Sequence, residues 1–157
     1  MTTPTLRPAR ADELERVLAL YKSVLGTPFC VWNDQYPSRL ELEHDFETEN
    51  LYVLVENDAI IGAVSVVPEN ELDHLDVWRV RDGSQVELAR IVISLDCRGR
   101  GLAALMLGEL ISRINSTIHI SAAVTNTPAL RTYAKLGFDI VGEADLYGGR
   151  YYQLERL

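Results

Sequence analysis

The sequence predicts an α+β fold in a single domain over residues 1–157, with a mixed central β-sheet flanked by about four helices. A chain of 157 residues is long enough for one domain with its own core and too short for two. Segments with helical spacing of apolar residues alternate with β-rich runs, so both element types are expected. The order strand, helix, strand over 86–124 predicts a right-handed parallel crossover, whereas the runs over 51–67 predict an antiparallel hairpin.

The first half of the chain contains two capped helices followed by that hairpin. Asp12 is expected to cap the first helix, with Glu15 as the third residue that completes a capping box. Ser38 and Glu41 have the same spacing ahead of the second helix. The hairpin turn is expected at residues 57–58, an Asn-Asp pair that suits a tight turn.

The second half is predicted to complete the sheet and supply two more helices. A short strand is expected to begin at Glu71, followed by a loop and then by a long Val- and Ile-rich strand over 85–95. A mostly apolar helix over 102–115 contains Gly108, which predicts that a neighbour packs closely there. Another strand is expected over 117–125.

A short helix and two terminal strands close the chain. Thr127 is expected to cap the helix, Pro128 occupies its first position, and Gly137 suits the left-handed residue that ends it. The two last strands are expected on either side of the Gly-Gly pair at 148–149.

Composition excludes several classes of protein. The net charge of −8 repels nucleic acid and anionic lipid. The first residues contain no apolar targeting segment, and no apolar run approaches the roughly 18 residues of a membrane span, so a cytoplasmic location is expected. Cys30 and Cys97 are far apart and have no Cys or His at ligand spacing, which predicts two free thiols and no metal site.

The stretch "SLDCRGRGLAALML", residues 94–107, has the composition of an anion site. It follows a strand and opens a helix, whose first backbone NH groups point outward and carry partial positive charge. Gly99 and Gly101 allow close approach to the backbone, and Arg98 and Arg100 add positive charge. The same residues are equally consistent with a tight turn that merely needs glycines.

Two nucleotide motifs fail on context. Gly99, Gly101 and Ala104 fit G-x-G-x-x-A, but the acid expected about 20 positions on is missing, since no Asp or Glu lies between Glu109 and Asp139. Too few residues follow to complete a doubly wound sheet. A P-loop is excluded because no Gly-Lys-Ser/Thr follows.

A different spacing, R-x-x-G-x-A, is matched by Arg98, Gly101 and Ala103. A second motif follows the next strand: an Asn and then a helix with A-x-x-x-Y-x-K-x-G-F. Its matching residues are Asn126, Ala129, Tyr133, Lys135, Gly137 and Phe138. With both motifs in order, the chain resembles the GNAT superfamily of N-acetyltransferases. The stretch "CVWNDQYP", residues 30–37, followed by the capped helix resembles a subgroup of its small bacterial members. The resemblance implies a GNAT-like fold over the whole chain.

The resemblance also implies acetyl-CoA as the donor and an amine as the acceptor. The CoA pyrophosphate would lie on the NH groups of 98–104 with Arg100 reaching the phosphates, the pantetheine arm along 91–93, and Asn126 on the same arm. The implied cofactor-binding residues are Ile91, Val92, Ile93, Arg98, Gly99, Arg100, Gly101, Leu102, Ala103, Ala104, Asn126 and Tyr133. The NH of Ile93 would polarise the thioester carbonyl.

Two residues are candidates for proton transfer. Glu87 lies eleven residues before Arg98, where several family members have a catalytic Glu, and would deprotonate the amine. It is also consistent with a strand residue that faces solvent or pairs with Arg90. Tyr133 stands at the family's position for the acid that assists the thiolate, although a packed core tyrosine fits the same helix face.

The acceptor side is expected around Trp32, Tyr36 and Trp78, whose rings would shape a pocket or stack on a cation; they are also consistent with loop anchors in the core. The expected acceptor is a small-molecule or peptide amine, with no nucleic acid or membrane partner and a monomer or homodimer. Direct transfer in a ternary complex is favoured over an acyl-enzyme on Cys97. The alternative is a non-catalytic acyl-CoA-binding or sensor domain on the same fold.

Overall fold

Within residues 3–68 and 71–157, which the computed structural model describes, seven strands form one mixed sheet and four helices flank it. The strands are β1 (Thr5–Pro8), β2 (Leu51–Glu56), β3 (Ala59–Val67), β4 (Val86–Ile93), β5 (Ile118–Ala123), β6 (Asp139–Leu146) and β7 (Gly149–Arg156). The helices are α1 (Leu14–Ser23), α2 (Arg39–Glu47), α3 (Leu102–Arg113) and α4 (Thr127–Lys135). The predicted α+β class with a mixed central sheet is confirmed.

The helices cover both faces of the sheet. Side chains alternate between faces along β2: Val53 belongs to the cluster that includes α1 and α2, and Leu54 to the cluster that includes α3 and α4. The strand order is β1-β2-β3-β4-β5-β7-β6, and every neighbouring pair is antiparallel except β4 with β5. The predicted hairpin at 57–58 and the predicted parallel pair are therefore both confirmed.

The parallel pair is very short. In the described chain, β4 and β5 are in register at two positions, Val86 with Ile118 and Glu87 with His119. Beyond them β5 continues to pair with β7 and β4 continues to pair with β3. The two strands therefore separate after Glu87, and a cleft opens in the middle of the sheet.

A bulge in β4 borders this cleft. Ala89 is opposite Ser65 and Val92 is opposite Ala63, so two residues of β4 face one residue of β3. Arg90, one of the two, has a φ of 51°, in the left-handed region. Such a bulge bends its strand and leaves the extra residue outside the regular ladder.

The start of α1 differs from the prediction. Asp12 does not cap the helix; Leu14 is its first residue, after a 3₁₀ turn over Ala11–Glu13. The carboxylate of Glu13 accepts the Arg10 NH at 2.8 Å and two bonds from Arg7 at 2.8 and 2.7 Å. The hydrogen bond from Arg7 lowers the pKa of Glu13 to about 2, and the carboxylate is 3% exposed. This buried ion pair links β1 to the turn before α1.

Other boundaries follow local chemistry, with three corrections. The capping box of Ser38 and Glu41 is confirmed. Asn126, not Thr127, caps α4, since its Oδ1 accepts the NH of Ala129 at 3.4 Å. A 3₁₀ turn over Glu71–His74 replaces the expected strand, and β1 was not predicted at all. No helix in the described residues is both long and apolar enough to cross a membrane.

The expectation that a neighbour packs tightly against Gly108 is wrong. A Cβ built there would lie 3.7 Å from Leu136 Cδ2, an ordinary contact. We therefore expect Gly108→Ala to raise the free energy of unfolding by about 1 kcal/mol, because alanine loses less backbone entropy in a helix. In thermal melts this corresponds to a rise in the melting temperature of roughly 2–4 °C.

The control is Gly62→Ala, whose Cβ would lie 2.9 Å from Ile93 Cδ1 and 3.2 Å from the Val92 carbonyl. We expect that variant to melt lower than the parent protein. A Gly108→Ala protein that also melts lower would contradict the contact geometry.

Candidate active site

A cavity of about 1150 Å³ occupies the gap between β4 and β5. One wall is residues 87–93 of β4 and the other is residues 120–123 of β5. The turn before α3 and the start of α4 close one end, and residues 28–33 of the segment between α1 and α2 contribute to the other. A cavity of this size holds a ligand that lies along two strands, so the sheet itself forms the candidate site.

One end of the cavity is a helix start. Gly99 and Gly101 have φ of 82° and 70°, and α3 begins at Leu102. A Cβ on either glycine would meet nothing within 4 Å, so the backbone conformation, and not crowding, requires glycine. The first NH groups of α3 have no acceptor within the helix, and its first turn contains no acid. This end therefore attracts an anion.

The two arginines of the turn have different surroundings. Arg98 lines the cavity and forms no ion pair with the described residues. Arg100 does not line it: its guanidinium binds Glu56 at the tip of the β2–β3 hairpin, with N–O distances of 2.6 and 3.0 Å. The expected contact of Arg100 with a phosphate stays a prediction, and in this structure the guanidinium is bound to Glu56.

Three consecutive residues of β4 line the cavity beyond the point where the strands separate. Ile91, Val92 and Ile93 all line it, on the stretch of β4 that has separated from β5. Because no described strand pairs with that edge, its backbone groups remain available to a ligand with amides of its own. This edge of β4 can therefore form strand-like hydrogen bonds with an extended ligand.

Tyr133 of α4 lines the cavity although it is only 7% exposed. Burial raises the pKa of its phenol to about 12, so the hydroxyl is protonated at neutral pH. Its ring stacks edge to face on Phe138 with centroids 6.1 Å apart. Asn126, about two turns earlier, lines the cavity and caps α4 through Oδ1.

Glu87 lies at the point where the strands separate. It is half-buried, lines the cavity, and is opposite His119 on β5 and Val67 on β3. The alternative expectation that it pairs with Arg90 is not met, because Arg90 binds Asp45 of α2. A carboxylate is thereby placed at the apex of the cleft.

The pairing of Arg90 with Asp45 was missed by the sequence analysis. Asp45 also accepts a hydrogen bond from Ser65 Oγ at 2.6 Å, and Arg90 donates to the Tyr36 hydroxyl at 3.1 Å. The sequence contained one signal for Asp45, since it lies three residues after Leu42 on the inward face of α2.

The end of the cavity away from α3 is aromatic. Trp32 and Tyr36 line it as expected, and Phe29, Tyr147 and Tyr151 do so without having been predicted. The two last rings stack edge to face, with centroids 5.8 Å apart. Both belong to the β6–β7 hairpin. The pattern of apolar residues in a sequence does not show that this hairpin lies beside the segment before α2.

Trp78 is removed from the expected acceptor residues. It does not line the cavity; it is 5% exposed, stacks on His119 at 3.8 Å, and donates its indole NH to the Leu72 carbonyl at 2.9 Å. His119 in turn binds Glu155 at 2.9 Å, and burial lowers its pKa. Trp78 is thus a core anchor for the loop that precedes β4.

Most predicted site residues surround one cavity. Those that line it are Trp32, Tyr36, Glu87, Ile91, Val92, Ile93, Arg98, Gly99, Gly101, Leu102, Ala103, Asn126 and Tyr133, and those that do not are Trp78, Arg100 and Ala104. Cys30 and Cys97 also line it and are free thiols. No cluster of metal-ligand type occurs in residues 3–68 and 71–157.

Comparison with known proteins agrees with this geometry. The sequence model of the "Acetyltransferase (GNAT) family" matches residues 17–138. An L-methionine sulfoximine/L-methionine sulfone acetyltransferase of Pseudomonas aeruginosa is 24% identical over 155 residues, covering 94% of this chain and 87% of that protein. Two solved structures share the fold.

The first is a GNAT-family acetyltransferase of Streptococcus agalactiae, with a TM-score of 0.86 and 21% identity over 98% of this chain and 95% of that one. The second is YncA of Salmonella typhimurium, solved with its cofactor acetyl-CoA, with a TM-score of 0.73 and 19% identity over 98% of this chain and 92% of that one.

Proposed function

The chain belongs to the GNAT family of acetyltransferases and is an N-acetyltransferase, and from this premise we propose that it transfers acetyl from acetyl-CoA directly to a small primary amine. The observation that carries the proposal is the single cavity between β4 and β5, with an anion-attracting helix start at one end and a carboxylate with aromatic rings at the other. In this proposal both substrates occupy the cavity at once, as direct transfer requires.

Acetyl-CoA occupies the end at α3 in this proposal. Its pyrophosphate lies on the NH groups of 99–103, with Arg98 adding charge. Its pantetheine arm bonds to the unpaired edge of 91–93, as a further strand would. The side-chain amide of Asn126 bonds to the same arm.

The acetyl group then lies beside Glu87 and Tyr133. Glu87 takes a proton from the ammonium, directly or through one water, and the freed amine attacks the thioester carbon. The NH of Ile93 stabilises the oxyanion. When the C–S bond breaks, the neutral phenol of Tyr133 hydrogen-bonds to the departing sulfur or protonates it. The nitrogen loses its second proton to the tyrosinate or to water, Glu87 returns its proton to solvent, and the neutral amide is left on the acceptor.

The acceptor is proposed to carry one positive charge on a small body. Among the described residues that line the cavity, Glu87 is the one carboxylate, so a second ammonium would lack a partner. The rings of Phe29, Tyr36 and Tyr147 offer apolar surface for the rest of the molecule. The Pseudomonas aeruginosa relative is named for two small amino acids, L-methionine sulfoximine and L-methionine sulfone, each of which has one amino group beside a carboxylate.

The first test is donor binding followed by turnover. Saturating acetyl-CoA, at about 100 times its dissociation constant, is expected to raise the melting temperature by roughly 5–10 °C, because it binds only the native state. Thiol release is then measured with L-methionine sulfone, phenethylamine and spermidine. We expect kcat/KM for spermidine to be about tenfold or more below that of the best singly charged amine. An unchanged melting temperature at millimolar acetyl-CoA contradicts the donor site.

The second test is Glu87→Gln. We expect kcat/KM for the amine to fall about 10²-fold or more with acetyl-CoA affinity unchanged, and the acidic limb of the pH–rate profile to disappear, because the base is gone. Glu143→Gln, an exposed strand acid on β6 that does not line the cavity, is the control and should keep parental kinetics. Unchanged rate and pH profile in Glu87→Gln exclude Glu87 as the base.

The third test is Tyr133→Phe. Loss of the hydroxyl should lower kcat about 10²-fold while acetyl-CoA still binds, since the ring and its packing on Phe138 remain. Tyr152→Phe is the matched control, a half-buried tyrosine on β7 that does not line the cavity. If acetyl-CoA affinity falls as much as kcat, Tyr133 is a binding residue and not the acid.

A further inference from the structure

Arg90 holds a backbone conformation that needs outside support. It is the bulge residue of β4, with φ of 51°, a region that residues other than glycine rarely adopt. Such conformations persist only when the surrounding contacts determine them. The next residues along the strand, 91–93, are those proposed to bind the pantetheine arm and the thioester, so the bulge sets their position.

A buried carboxylate on α2 supplies that support. Asp45 receives two parallel bonds from Arg90, Nε to Oδ2 at 2.7 Å and Nη2 to Oδ1 at 2.8 Å, and a third from Ser65 Oγ at 2.6 Å. The side chain of Asp45 is 2% exposed and that of Arg90 is 11% exposed. A forked, desolvated pair of this kind fixes both direction and distance.

The same guanidinium extends to the acceptor end. Its Nη1 donates to the hydroxyl of Tyr36 at 3.1 Å, and Tyr36 lines the cavity two residues before the Ser38 cap of α2. The guanidinium of Arg90 therefore connects the β4 bulge to Asp45 of α2 and to Tyr36 in the wall of the proposed acceptor pocket. We call these residues, Asp45, Ser65, Arg90 and Tyr36, the Asp45 clamp.

We propose that Asp45 is a positioning residue, which through Arg90 fixes the β4 bulge and the Tyr36 hydroxyl in one arrangement so that thioester and amine meet at reacting distance. The inference rests on the proposed function. Asp45 does not line the cavity, so its effect on the reaction passes through Arg90. Misplacement of reacting groups by about 1 Å costs on the order of 10²-fold in rate.

A second ion pair provides a matched control. Glu13 accepts a fork from Arg7 at 2.8 and 2.7 Å and is 3% exposed, much like Asp45, but neither Glu13 nor Arg7 lines the cavity. Glu13→Gln and Asp45→Asn are equivalent changes, each of which removes one charge without removing the side chain's shape. If the Asp45 clamp only stabilises the fold, both variants should lose stability and keep their acetyl-CoA affinity and kinetics.

The experiment compares four variants well below their melting temperatures: Asp45→Asn, Arg90→Lys, Tyr36→Phe and Glu13→Gln. Acetyl-CoA affinity is measured by calorimetry, and kcat and amine KM by thiol release. We expect Asp45→Asn to lower kcat at least about tenfold and to weaken acetyl-CoA binding, with Arg90→Lys in the same direction because Lys cannot form the fork. Tyr36→Phe should raise amine KM and leave acetyl-CoA affinity unchanged.

Glu13→Gln should lose stability and keep its kinetics within about twofold. If Asp45→Asn binds acetyl-CoA and turns over as Glu13→Gln does, the clamp is structural only and the proposal is wrong. If Asp45→Asn does not fold, Arg90→Lys and Tyr36→Phe decide by the same readouts. A parent protein that fails to bind acetyl-CoA overturns the proposed function itself, whereas a parent that binds it and an Asp45→Asn protein with parental kinetics overturns the clamp alone.

Discussion

The early separation of β4 from β5 is the constraint on which the rest of the site depends. The two parallel strands share two register positions and then each follows another neighbour, β4 along β3 and β5 along β7. The edges that face each other across the gap carry backbone donors and acceptors that a continuous sheet would have paired. A gap in the middle of a sheet is therefore already a site for an extended ligand with amides, before any side chain is considered.

The two ends of that gap are formed by different chemical groups, backbone at one end and side chains at the other. The end at α3 uses backbone: left-handed glycines at 99 and 101 and the first NH groups of the helix. The other end uses side chains from segments far apart in sequence, around residues 28–36 and 147–151. A backbone site is encoded by a few adjacent residues, so the donor is recognisable as a motif, whereas the acceptor pocket can change with its loops while the donor site stays intact.

Signals between neighbours in sequence predicted turns and helix ends correctly, whereas the wrong predictions involve contacts between residues far apart in the chain. The hairpin turn, the Ser38 capping box and the end of α4 at Gly137 all follow from neighbours in sequence. Asp12 was expected to cap α1, but Glu13 is the residue that precedes the first residue of the helix, and its carboxylate is bound by Arg7. Arg7 lies on a four-residue strand that is too short to show periodicity. The pairing of Arg100 with Glu56, 44 residues away, and that of Asp45 with Arg90, 45 residues later, have no signal among neighbours in sequence. The proposed donor loop was thus predictable as a motif, whereas the Asp45 clamp and the aromatic rings of the β6–β7 hairpin were not.

Charged groups lie at both ends of the cleft. The helix start with Arg98 gives one end positive charge and the carboxylate of Glu87 lies at the other, while Arg100 and Arg90 are each bound to a carboxylate. For the proposed reaction, we therefore expect the anionic donor and the protonated amine to be attracted to opposite ends, the amine also by the net charge of −8. Acetylation removes the positive charge from the acceptor, and with it the attraction to Glu87. In the proposed reaction, loss of this charge therefore weakens the binding of the product.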